Sequence, residues 1–356
     1  MQIFFKNFID IFEIYLASMK LNYLISKMPF FSQNDAKNLI FTKLAKSGCN
    51  KGNLNGITEG IIDAELSNIK SHGFHYLPIY CNHLKIGKIN GNAQASLERI
   101  SNSAIKVNAD NGFAHTAIDL GFDSLFEMCS EQGVACMSIY HSYNCGVLGF
   151  HTKRIAEKGF IGLGFTNAPA SIAPLGGTKA VVGTNPFSIA VPLNGKAEII
   201  IDQSASVVAK SEISVRAKTG EPIPEGWAFD SEGNITTNAQ EALKGTMAPS
   251  GGYKGFGTGL LVEILTACLA GGNLGTQASS FAGEDGGPPS TGQFFIAIDP
   301  EKFNSNYTNS IKSLIDSISA QEGARLPGSK RQAAFQKNQN QEIEISEQLL
   351  ERINQI

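Results

Sequence analysis

The chain has 356 residues, of which 42% are hydrophobic and 17% charged, so it can bury a large apolar core and form two or three domains. A net charge of −3 argues against a nucleic-acid-binding surface, which needs a basic face. No run of 18 apolar residues is present, so we predict no membrane-spanning segment. The six cysteines lack a CxxC pair, which favours free thiols in a reducing cytoplasm over a metal site.

Residues 1–27 stand apart from the rest of the sequence. Phenylalanine and isoleucine crowd this stretch, which resembles a weak signal sequence without a small-residue cleavage site. A second methionine, Met28, is followed by Pro29 and by a helix start at Ser32, with Asp35 three residues further on. We therefore interpret residues 1–27 as an extension or a misassigned start that the folded protein does not need.

Apolar periodicity predicts the remaining elements in chain order. The predicted helices cover residues 33–48, 54–70, 112–132, 209–218, 255–271 and 309–321, and a last helix closes the chain. The predicted strands cover residues 86–90, 103–109, 134–140, 160–165, 187–191, 197–201 and 294–298. The helix over 255–271 is almost wholly apolar, which predicts that it is buried on all sides, whereas residues 322–340 are polar and basic.

Helices dominate both ends of this order, and strands dominate the middle. Because the two do not alternate in βαβ units, the pattern favours an α+β fold in which a strand-rich middle lies between terminal helical segments. We place the helical domain at residues 28–105 plus 300–356 and the inserted domain at residues 106–299.

Ser71 and His72 lie at a predicted corner of the chain. They end the helix over 54–70, Gly73 provides the turn that stops it, and Pro78 predicts extended chain beyond it. A histidine here could exchange a proton with a ligand in a cleft, or could be an ordinary last-turn residue favoured by the helix dipole. A serine and a histidine that are adjacent on one backbone cannot easily place Oγ against Nε2, and no GxSxG motif is present, so proton transfer fits better than nucleophilic attack.

A glycine-rich segment, Gly252 to Gly259, opens the apolar helix. Its backbone N–H groups could bind a phosphate with Lys254 as the counter-charge, or its glycines could simply allow close packing at the helix start. The sequence contains neither a Rossmann GxGxxG fingerprint nor a Walker A motif, and both interpretations of the segment stay open.

Five short motifs, taken together and in order, make the chain from about Pro29 onward similar to the malate/L-lactate dehydrogenase family of NAD(P)-dependent oxidoreductases, the type without a Rossmann fold. The motifs are Ser71-His72-Gly73, Gly183-Thr184-Asn185-Pro186, Ile201-Asp202, Gly251-Gly252-Tyr253-Lys254-Gly255 and Gly292-Gln293-Phe294-Phe295. The resemblance implies a strand-rich NAD(P)-binding domain inserted between helical segments from both chain ends, a small-molecule substrate and a homodimer.

The resemblance also implies roles for individual residues. His72 matches the proton donor, Ser71 belongs to its relay, and Glu212 matches the relay acid. Thr184 and Lys210 match substrate-contacting positions, and Lys210 could pair with a substrate carboxylate. No metal ion is implied.

The cofactor positions implied by the resemblance fall in four segments of the chain. The matching residues are Asn144, Cys145, Gly146, Val147, Leu148, Asp202, Gln203, Ser204, Tyr253, Lys254, Gly328, Ser329, Lys330 and Arg331. The last segment carries two cations and a hydroxyl group, which suits a 2′-phosphate. NADPH is therefore the expected cofactor, with NADH as the alternative.

Two positions depart from the family pattern. Tyr76 stands where family members commonly have an arginine that grips the substrate carboxylate, so carboxylate binding must depend on Lys210, Thr184 or backbone groups. Asn144 replaces the usual histidine of the first cofactor segment and still offers a hydrogen-bond donor.

Three further segments resemble the cyclic-imine reductases of the family. They are Asp202 to Ala209, Pro224-Glu225-Gly226-Trp227 and Gly286-Gly287-Pro288-Pro289. The resemblance thus implies an NADPH-dependent reductase that converts Δ1-piperideine-2-carboxylate to L-pipecolate and Δ1-pyrroline-2-carboxylate to L-proline. One alternative is an NAD(P)-dependent 2-hydroxy-acid dehydrogenase of the malate, lactate or ureidoglycolate type. Another is a degenerate member that only binds a dinucleotide, against which the intact Ser71, His72 and Glu212 argue.

Overall fold

The structure is a computed structural model that describes residues 30–356, so the predicted extension over residues 1–27 lies outside the described part. The α-helices of the described part are α1 Gln33–Lys46, α2 Leu54–Leu66, α3 Leu77–Lys85, α4 Ala114–Gln132, α5 Leu148–Glu157, α6 Lys210–Thr219, α7 Ala239–Lys244, α8 Tyr253–Glu263, α9 Pro300–Phe303, α10 Tyr307–Ser319, α11 Ser329–Asn338 and α12 Glu347–Asn354. Shorter helical turns are 3₁₀ turns at Lys51–Asn53, Lys70–His72 and Phe74–Tyr76, and a π-helical turn at Ile264–Leu269.

The strands of the described part are β1 Phe30–Phe31, β2 Ser96–Ser101, β3 Ala104–Asn108, β4 Val134–Ser142, β5 Ile161–Thr166, β6 Phe187–Leu193, β7 Lys196–Gln203, β8 Ala228–Phe229, β9 Ile235–Thr236, β10 Thr246–Met247, β11 Thr291–Ile298 and β12 Ile343–Glu344. Seven of them form the main sheet, in the order β2-β3-β4-β11-β5-β6-β7. In the main sheet β3 and β4 pair in parallel, and the other neighbours pair antiparallel.

Strand β11 lies in the middle of the main sheet, and its sequence is apolar at successive positions instead of alternating with polar residues. Phe295 lies opposite Met137 of β4 on one side and opposite Gly164 of β5 on the other. Helix α4 packs on β3 and β4, and α5 packs on β5, β6 and β7. A strand in the middle of a covered sheet is buried on both faces, so it needs apolar residues at successive positions.

A separate apolar core joins the two ends of the described chain. Phe31 of β1 pairs with Ile343 of β12, and the cluster continues through Leu39, Ile57 and Ile353, all at most 1% exposed.

The fold is thus a mixture of helices and strands with a mixed main sheet. The domain boundaries at residues 105, 106, 299 and 300 stay a prediction.

The corner at Ser71 and His72 is built differently from the predicted one. Helix α2 ends at Leu66, and His72 closes a separate 3₁₀ turn. Gly73 has a φ of −90°, so no left-handed conformation requires glycine there. Glycine is instead required because a Cβ on Gly73 would meet the carboxylate of Glu65.

Two predictions for the chain after this corner are wrong. Pro78 does not force extended chain, because it lies in the first turn of α3, where the missing N–H needs no partner. The predicted strand over 86–90 is a loop that turns back on α3. The N–H groups of Lys88 and Ile89 both donate to the His83 carbonyl, which a paired strand would not allow.

The helix predicted over 255–271 is not buried on all sides, and this prediction is also wrong. It begins at Tyr253 and continues beyond α8 into the π-helical turn. Leu260, Leu261, Ile264 and Leu269 are between 41% and 59% exposed. One face of the helix therefore packs on the sheet, and the other presents apolar side chains at the surface of this single chain.

Helix α11 is an element that the sequence patterns did not predict. It lies within the polar, basic stretch 322–340, begins directly after Gly328 and packs against α2 and β7. No helix among residues 30–356 is long and apolar enough to span a membrane.

Candidate functional site

His72 is the last residue of the 3₁₀ turn Lys70–His72, and its ring is hydrogen-bonded to the preceding residue. The Nδ1 atom of His72 is 3.0 Å from Oγ of Ser71, so the hydroxyl orients the ring and leaves Nε2 for another partner. Burial, together with the positive charge of Arg331, holds the pKa of His72 below its ordinary value of 6.5.

A buried acid beneath this turn escaped the sequence analysis. Oε1 of Glu65 accepts a hydrogen bond from the backbone N–H of Phe74 at 2.7 Å, and Oε2 pairs with Lys70. Glu65 is only 4% exposed. Its side chain lies so close to Gly73 that a Cβ at position 73 would collide with it. The signal was present in the sequence, because helical periodicity places Glu65 on the apolar face of α2, next to Leu66.

A row of aromatic rings leads away from His72. The ring of Tyr76 stacks beside His72, with centroids 6.3 Å apart, and lies 4.8 Å from the ring of Tyr80. The Tyr80 hydroxyl donates to Oδ1 of Asn144 at 3.0 Å. The two positions that depart from the family pattern, Tyr76 and Asn144, are thus connected through one side chain. Together these rings form what we call the aromatic wall, which comprises Tyr76, Tyr80, Phe113, Tyr143 and Phe281.

Three of the four predicted cofactor segments meet at one cavity of about 310 Å³. Val147 comes from the first segment, Asp202 from the second, and Gly328 and Arg331 from the fourth. Ile69, which precedes His72 by three residues, also lines this cavity. An adjoining cavity of about 390 Å³ is lined by more of the same segments and by two further cations; its lining includes Gln203, Gly328, Arg331, Arg325 and Lys330.

Two glycines in the lining of the cavity allow neighbouring elements to pack closely against each other. A Cβ on Gly149 would lie 2.9 Å from Oδ2 of Asp202, and a Cβ on Gly328 would lie 2.9 Å from Cβ of Ile200. Gly328 has a φ of +85° and immediately precedes α11. A helix start with close backbone approach and nearby cations is a phosphate-binding arrangement. The residues present therefore fit a phosphate-bearing dinucleotide, with the Gly328 to Arg331 segment at its phosphates.

Asp202 and Arg331 neutralise each other at the border of the two cavities. Burial raises the pKa of Asp202, and the Arg331 guanidinium, 3.0 Å away, opposes that rise. Cys145 of the first segment is fully buried, which raises the pKa of its thiol to about 12. It therefore contributes backbone and packing rather than a thiolate.

Thr184 lies outside the lining of the two cavities, and backbone hydrogen bonds connect it to the chain beside the second segment. The carbonyl of Thr184 accepts from the N–H of Ala205, and the carbonyl of Ala205 accepts from the N–H of Ser250. Thr184 and the chain leading to Tyr253 are thereby joined next to Ser204. Tyr253 is 65% exposed, and Lys254 follows it in the first turn of α8.

Glu212 and Lys210 both lie in the first turn of α6. Oε1 of Glu212 lies 3.5 Å from Nε of Arg216, one turn further along the same helix. Burial lowers the pKa of Lys210. The roles assigned to these residues, and to the other site residues, stay predictions.

Two buried histidines pack against the first predicted cofactor segment, and the sequence analysis overlooked both. Nε2 of His151 lies 2.9 Å from the carbonyl oxygen of Cys145, and the ring of His115 stands 5.2 Å from that of His151. A Cβ on Gly146 would lie 3.2 Å from Nε2 of His115. Burial lowers the pKa of His115 to about 3, so both rings act as neutral packing and hydrogen-bonding groups.

Within residues 30–356, no three metal-ligating side chains converge on a candidate metal site. The cysteines of this range are all free thiols. The candidate site thus brings together the His72 imidazole, the aromatic wall and a cavity lined by charged side chains.

Comparison with known proteins gives a consistent picture. A sequence model of the malate/L-lactate dehydrogenase family matches residues 31–354. The (2R)-3-sulfolactate dehydrogenase (NADP(+)) of Chromohalobacter salexigens is 37% identical over 322 residues, which cover 90% of this chain and 96% of that protein. The Δ1-pyrroline-2-carboxylate/Δ1-piperideine-2-carboxylate reductase of Pseudomonas aeruginosa is 30% identical over 322 residues, which cover 89% and 96%.

The fold agrees with a solved structure of similar length. The crystal structure of Δ1-piperideine-2-carboxylate reductase from Pseudomonas syringae pvar. tomato matches with a TM-score of 0.86 at 27% identity, covering 92% of this chain and 99% of that one. The chain belongs to the malate/L-lactate dehydrogenase family, and it is an NAD(P)-dependent oxidoreductase.

Proposed function

We propose that the protein is an NADPH-dependent reductase of cyclic imino acids, which converts Δ1-piperideine-2-carboxylate to L-pipecolate and Δ1-pyrroline-2-carboxylate to L-proline. The observation that carries this proposal is the aromatic wall beside His72, with Tyr76 where family members commonly have an arginine. The hydroxyl of Tyr76 donates to the Phe281 carbonyl at 3.3 Å. At this position the site therefore offers an aromatic ring rather than a cation.

The apolar ring of a cyclic imino acid can pack against the aromatic wall more favourably than the second anionic group of malate or sulfolactate can. A cyclic imino acid carries one carboxylate and an otherwise apolar ring, which can pack against Tyr76. Malate and sulfolactate carry two anionic groups, and each would need a cationic partner when withdrawn from water. Lys210 is the cation that we assign to the single carboxylate, with Thr184 as a further contact.

His72 supplies the proton in the proposed reaction. The nicotinamide, when bound, supplies the hydride that reaches the imine carbon. His72 donates the accompanying proton to the imine nitrogen, and Ser71 holds the ring in the required orientation through the 3.0 Å contact at Nδ1. Glu212 is proposed as the acid of this relay.

The preference for NADPH rests on the cations of the second cavity. Arg325 and Lys330 line it next to Gly328, where α11 begins. A 2′-phosphate placed there would meet positive side chains and backbone N–H groups together. The relative from Chromohalobacter salexigens is a dehydrogenase named for NADP(+), which supports the same preference.

A second candidate is an NAD(P)-dependent 2-hydroxy-acid dehydrogenase. The observation in its favour is that same relative, which is 37% identical and is named for (2R)-3-sulfolactate. This candidate uses the same His72 and the same cofactor cavity. For a substrate with two anionic groups, such as malate or sulfolactate, it also requires a cation near position 76.

One assay separates the candidates. NADPH oxidation by the purified protein is followed with Δ1-piperideine-2-carboxylate, Δ1-pyrroline-2-carboxylate, pyruvate, oxaloacetate and 3-sulfopyruvate as substrates. We expect the highest kcat/KM with a cyclic imine. A higher value with a 2-oxo acid would replace the proposal by the dehydrogenase candidate. Weak turnover of both classes with tight NADPH binding would indicate a member that only binds a dinucleotide.

We further propose a homodimer located in the cytoplasm, with the domain boundaries given above. The apolar face formed by Leu260, Leu261, Ile264 and Leu269 supports the dimer, because exposed apolar patches of this kind mark interaction surfaces. The free thiols support a reducing compartment.

A further inference from the structure

Lys88 is a buried cation whose side chain makes no ion pair in the described part of the chain. It is 1% exposed, and its ammonium nitrogen lies 2.9 Å from the Ser280 carbonyl, 2.8 Å from that of Gly283 and 2.7 Å from that of Asp285. An ammonium group has three N–H donors, and here each donor has a carbonyl acceptor. A buried charge is retained only with such full pairing, because unpaired burial is costly.

The three carbonyls belong to one loop, residues 280–285, which we call the anchored loop. The loop makes further contacts with the helical segments: Nδ2 of Asn82 donates to Glu284 at 3.0 Å. The chain around it is rich in glycine and proline, so it has little secondary structure of its own to hold it in place. Lys88 therefore supplies the bonds that fix its backbone.

The anchored loop in turn holds the aromatic wall. The carbonyl oxygen of Phe281 accepts hydrogen bonds from two hydroxyl groups, that of Tyr76 at 3.3 Å and that of Tyr143 at 3.4 Å. The ring of Tyr76 then stacks beside His72. Three consecutive contacts thus connect the Lys88 ammonium group to the imidazole that we assign as proton donor.

We propose that Lys88 is a positioning residue for substrate binding. By fixing the anchored loop, it sets the Phe281 carbonyl that holds Tyr76, and so determines the shape of the substrate pocket beside His72. This inference rests on the proposed function only in placing the substrate against His72 and Tyr76. It assigns no chemical step to Lys88, which acts through the loop.

The first test replaces Lys88 by methionine, which keeps the length of the side chain and removes its donors. We expect Lys88→Met to raise KM for the cyclic imine by about tenfold, with KM for NADPH changed by less than about twofold because the cofactor cavity lies elsewhere. Lys85→Met is the matched control, since Lys85 is an exposed lysine three residues earlier. Unchanged KM in Lys88→Met, or equal increases for imine and NADPH, would overturn the proposal.

A second variant covers the case in which Lys88→Met fails to fold. Tyr76→Phe keeps the ring and removes only the hydroxyl that donates to Phe281. We expect a smaller rise in KM for the imine, with KM for NADPH unchanged. Where both variants fold, the double variant should raise KM for the imine by less than the product of the two single increases, because both changes release the Tyr76 ring. Fully independent effects would contradict a connection through the anchored loop.

Hydrogen exchange separates this proposal from the proposed function. Amides of residues 280–285 in the protein without substrate should exchange faster in Lys88→Met than in Lys85→Met. If the protein reduces a 2-oxo acid but no cyclic imine, the proposed function fails, and KM for that 2-oxo acid tests Lys88 in the same way. If exchange in the loop is equal in the two variants, Lys88 does not fix the loop, whatever the substrate.

Discussion

Asp202 and Arg331 form an ion pair at the border of the two cavities, with 3.0 Å between Oδ2 and Nη1. The two residues are 129 positions apart in sequence, and the pair ties the end of β7 to the first turn of α11. The positive charge of Arg331 also helps to lower the pKa of His72. One arginine therefore connects the proposed proton donor to the cofactor cavity, and it is already paired with a carboxylate before any phosphate arrives.

Lys330 is the cation that we expect to discriminate between the two cofactors. It lines the second cavity and makes no ion pair within residues 30–356, so its charge is available to a 2′-phosphate. Lys330→Ala should raise KM for NADPH by about tenfold and change KM for NADH by less than about twofold. Lys337→Ala, at an exposed position on the same helix, is the control. Equal losses with both cofactors would show that Lys330 does not contact the 2′-phosphate.

Arg331 should control the pH dependence of turnover. Burial and the Arg331 charge both lower the pKa of His72, so Arg331→Gln removes one cause and raises that pKa toward 6.5. A proton donor with a higher pKa stays protonated to higher pH, and kcat at saturating NADPH should therefore extend to higher pH. Lys330→Ala, which also removes a cation from the cavities, should leave the profile unchanged. An identical profile in Arg331→Gln and the unaltered protein would contradict this coupling.

Gly73 should be intolerant of any side chain, because a Cβ there would meet the Glu65 carboxylate, which is held by Lys70 and the Phe74 N–H. Gly73→Ala should lower the free energy of unfolding by about 1–3 kcal/mol, the usual cost of overpacking. Urea denaturation measures the change. Gly52→Ala is the control, since its Cβ would make only an ordinary 3.4 Å contact with Asn50. Equal stability of the two variants would remove the packing explanation for glycine at this corner.

The apolar face of α8 should hold the proposed homodimer together. Leu261 is 50% exposed in the single chain, and Leu261→Asp would place a charge in a dimer interface built on this face. We expect sedimentation to show a shift from dimer to monomer. Leu314→Asp, at a 52% exposed leucine on α10, should leave the assembly unchanged. A dimer that survives the Leu261 change would place the interface elsewhere.

Much of the fold could be predicted because apolar periodicity records burial directly. The helix over 112–132 and the strand over 134–140 agree with α4 and β4, whose inward residues follow the 3.6 and 2.0 periods. The resemblance also selected segments that the structure brings together around one cavity, from Val147 to Asp202 and Gly328. These segments are recognisable because glycines and charged residues at fixed spacings are rare in ordinary core elements.

The parts that could not be predicted depend on contacts between distant residues. Lys88 is a charged residue in a segment that looked like a strand, and its partners lie 192 to 197 positions away. Helix α11 has no apolar stripe, so periodicity could not indicate it. The exposed face of α8 was mistaken for buried surface, since an apolar composition on all sides of a helix does not tell which of its faces the same chain covers.

His72 is the residue on which the proposed mechanism depends most. If it delivers the proton during reduction, His72→Ala should lower kcat by about 10²–10⁴, the usual contribution of general acid catalysis, with KM for NADPH little changed. Ser71→Ala should lower kcat less, because the hydroxyl orients the ring at 3.0 Å but carries no charge. Glu212→Gln should also lower kcat less than His72→Ala does, and it should shift the pH profile if Glu212 acts as the relay acid. His75→Ala is the matched control, since His75 is an exposed histidine three residues away. If His72→Ala instead keeps near-normal kcat and loses thermal stability, His72 is a structural residue of the turn, and the proton must come from another group.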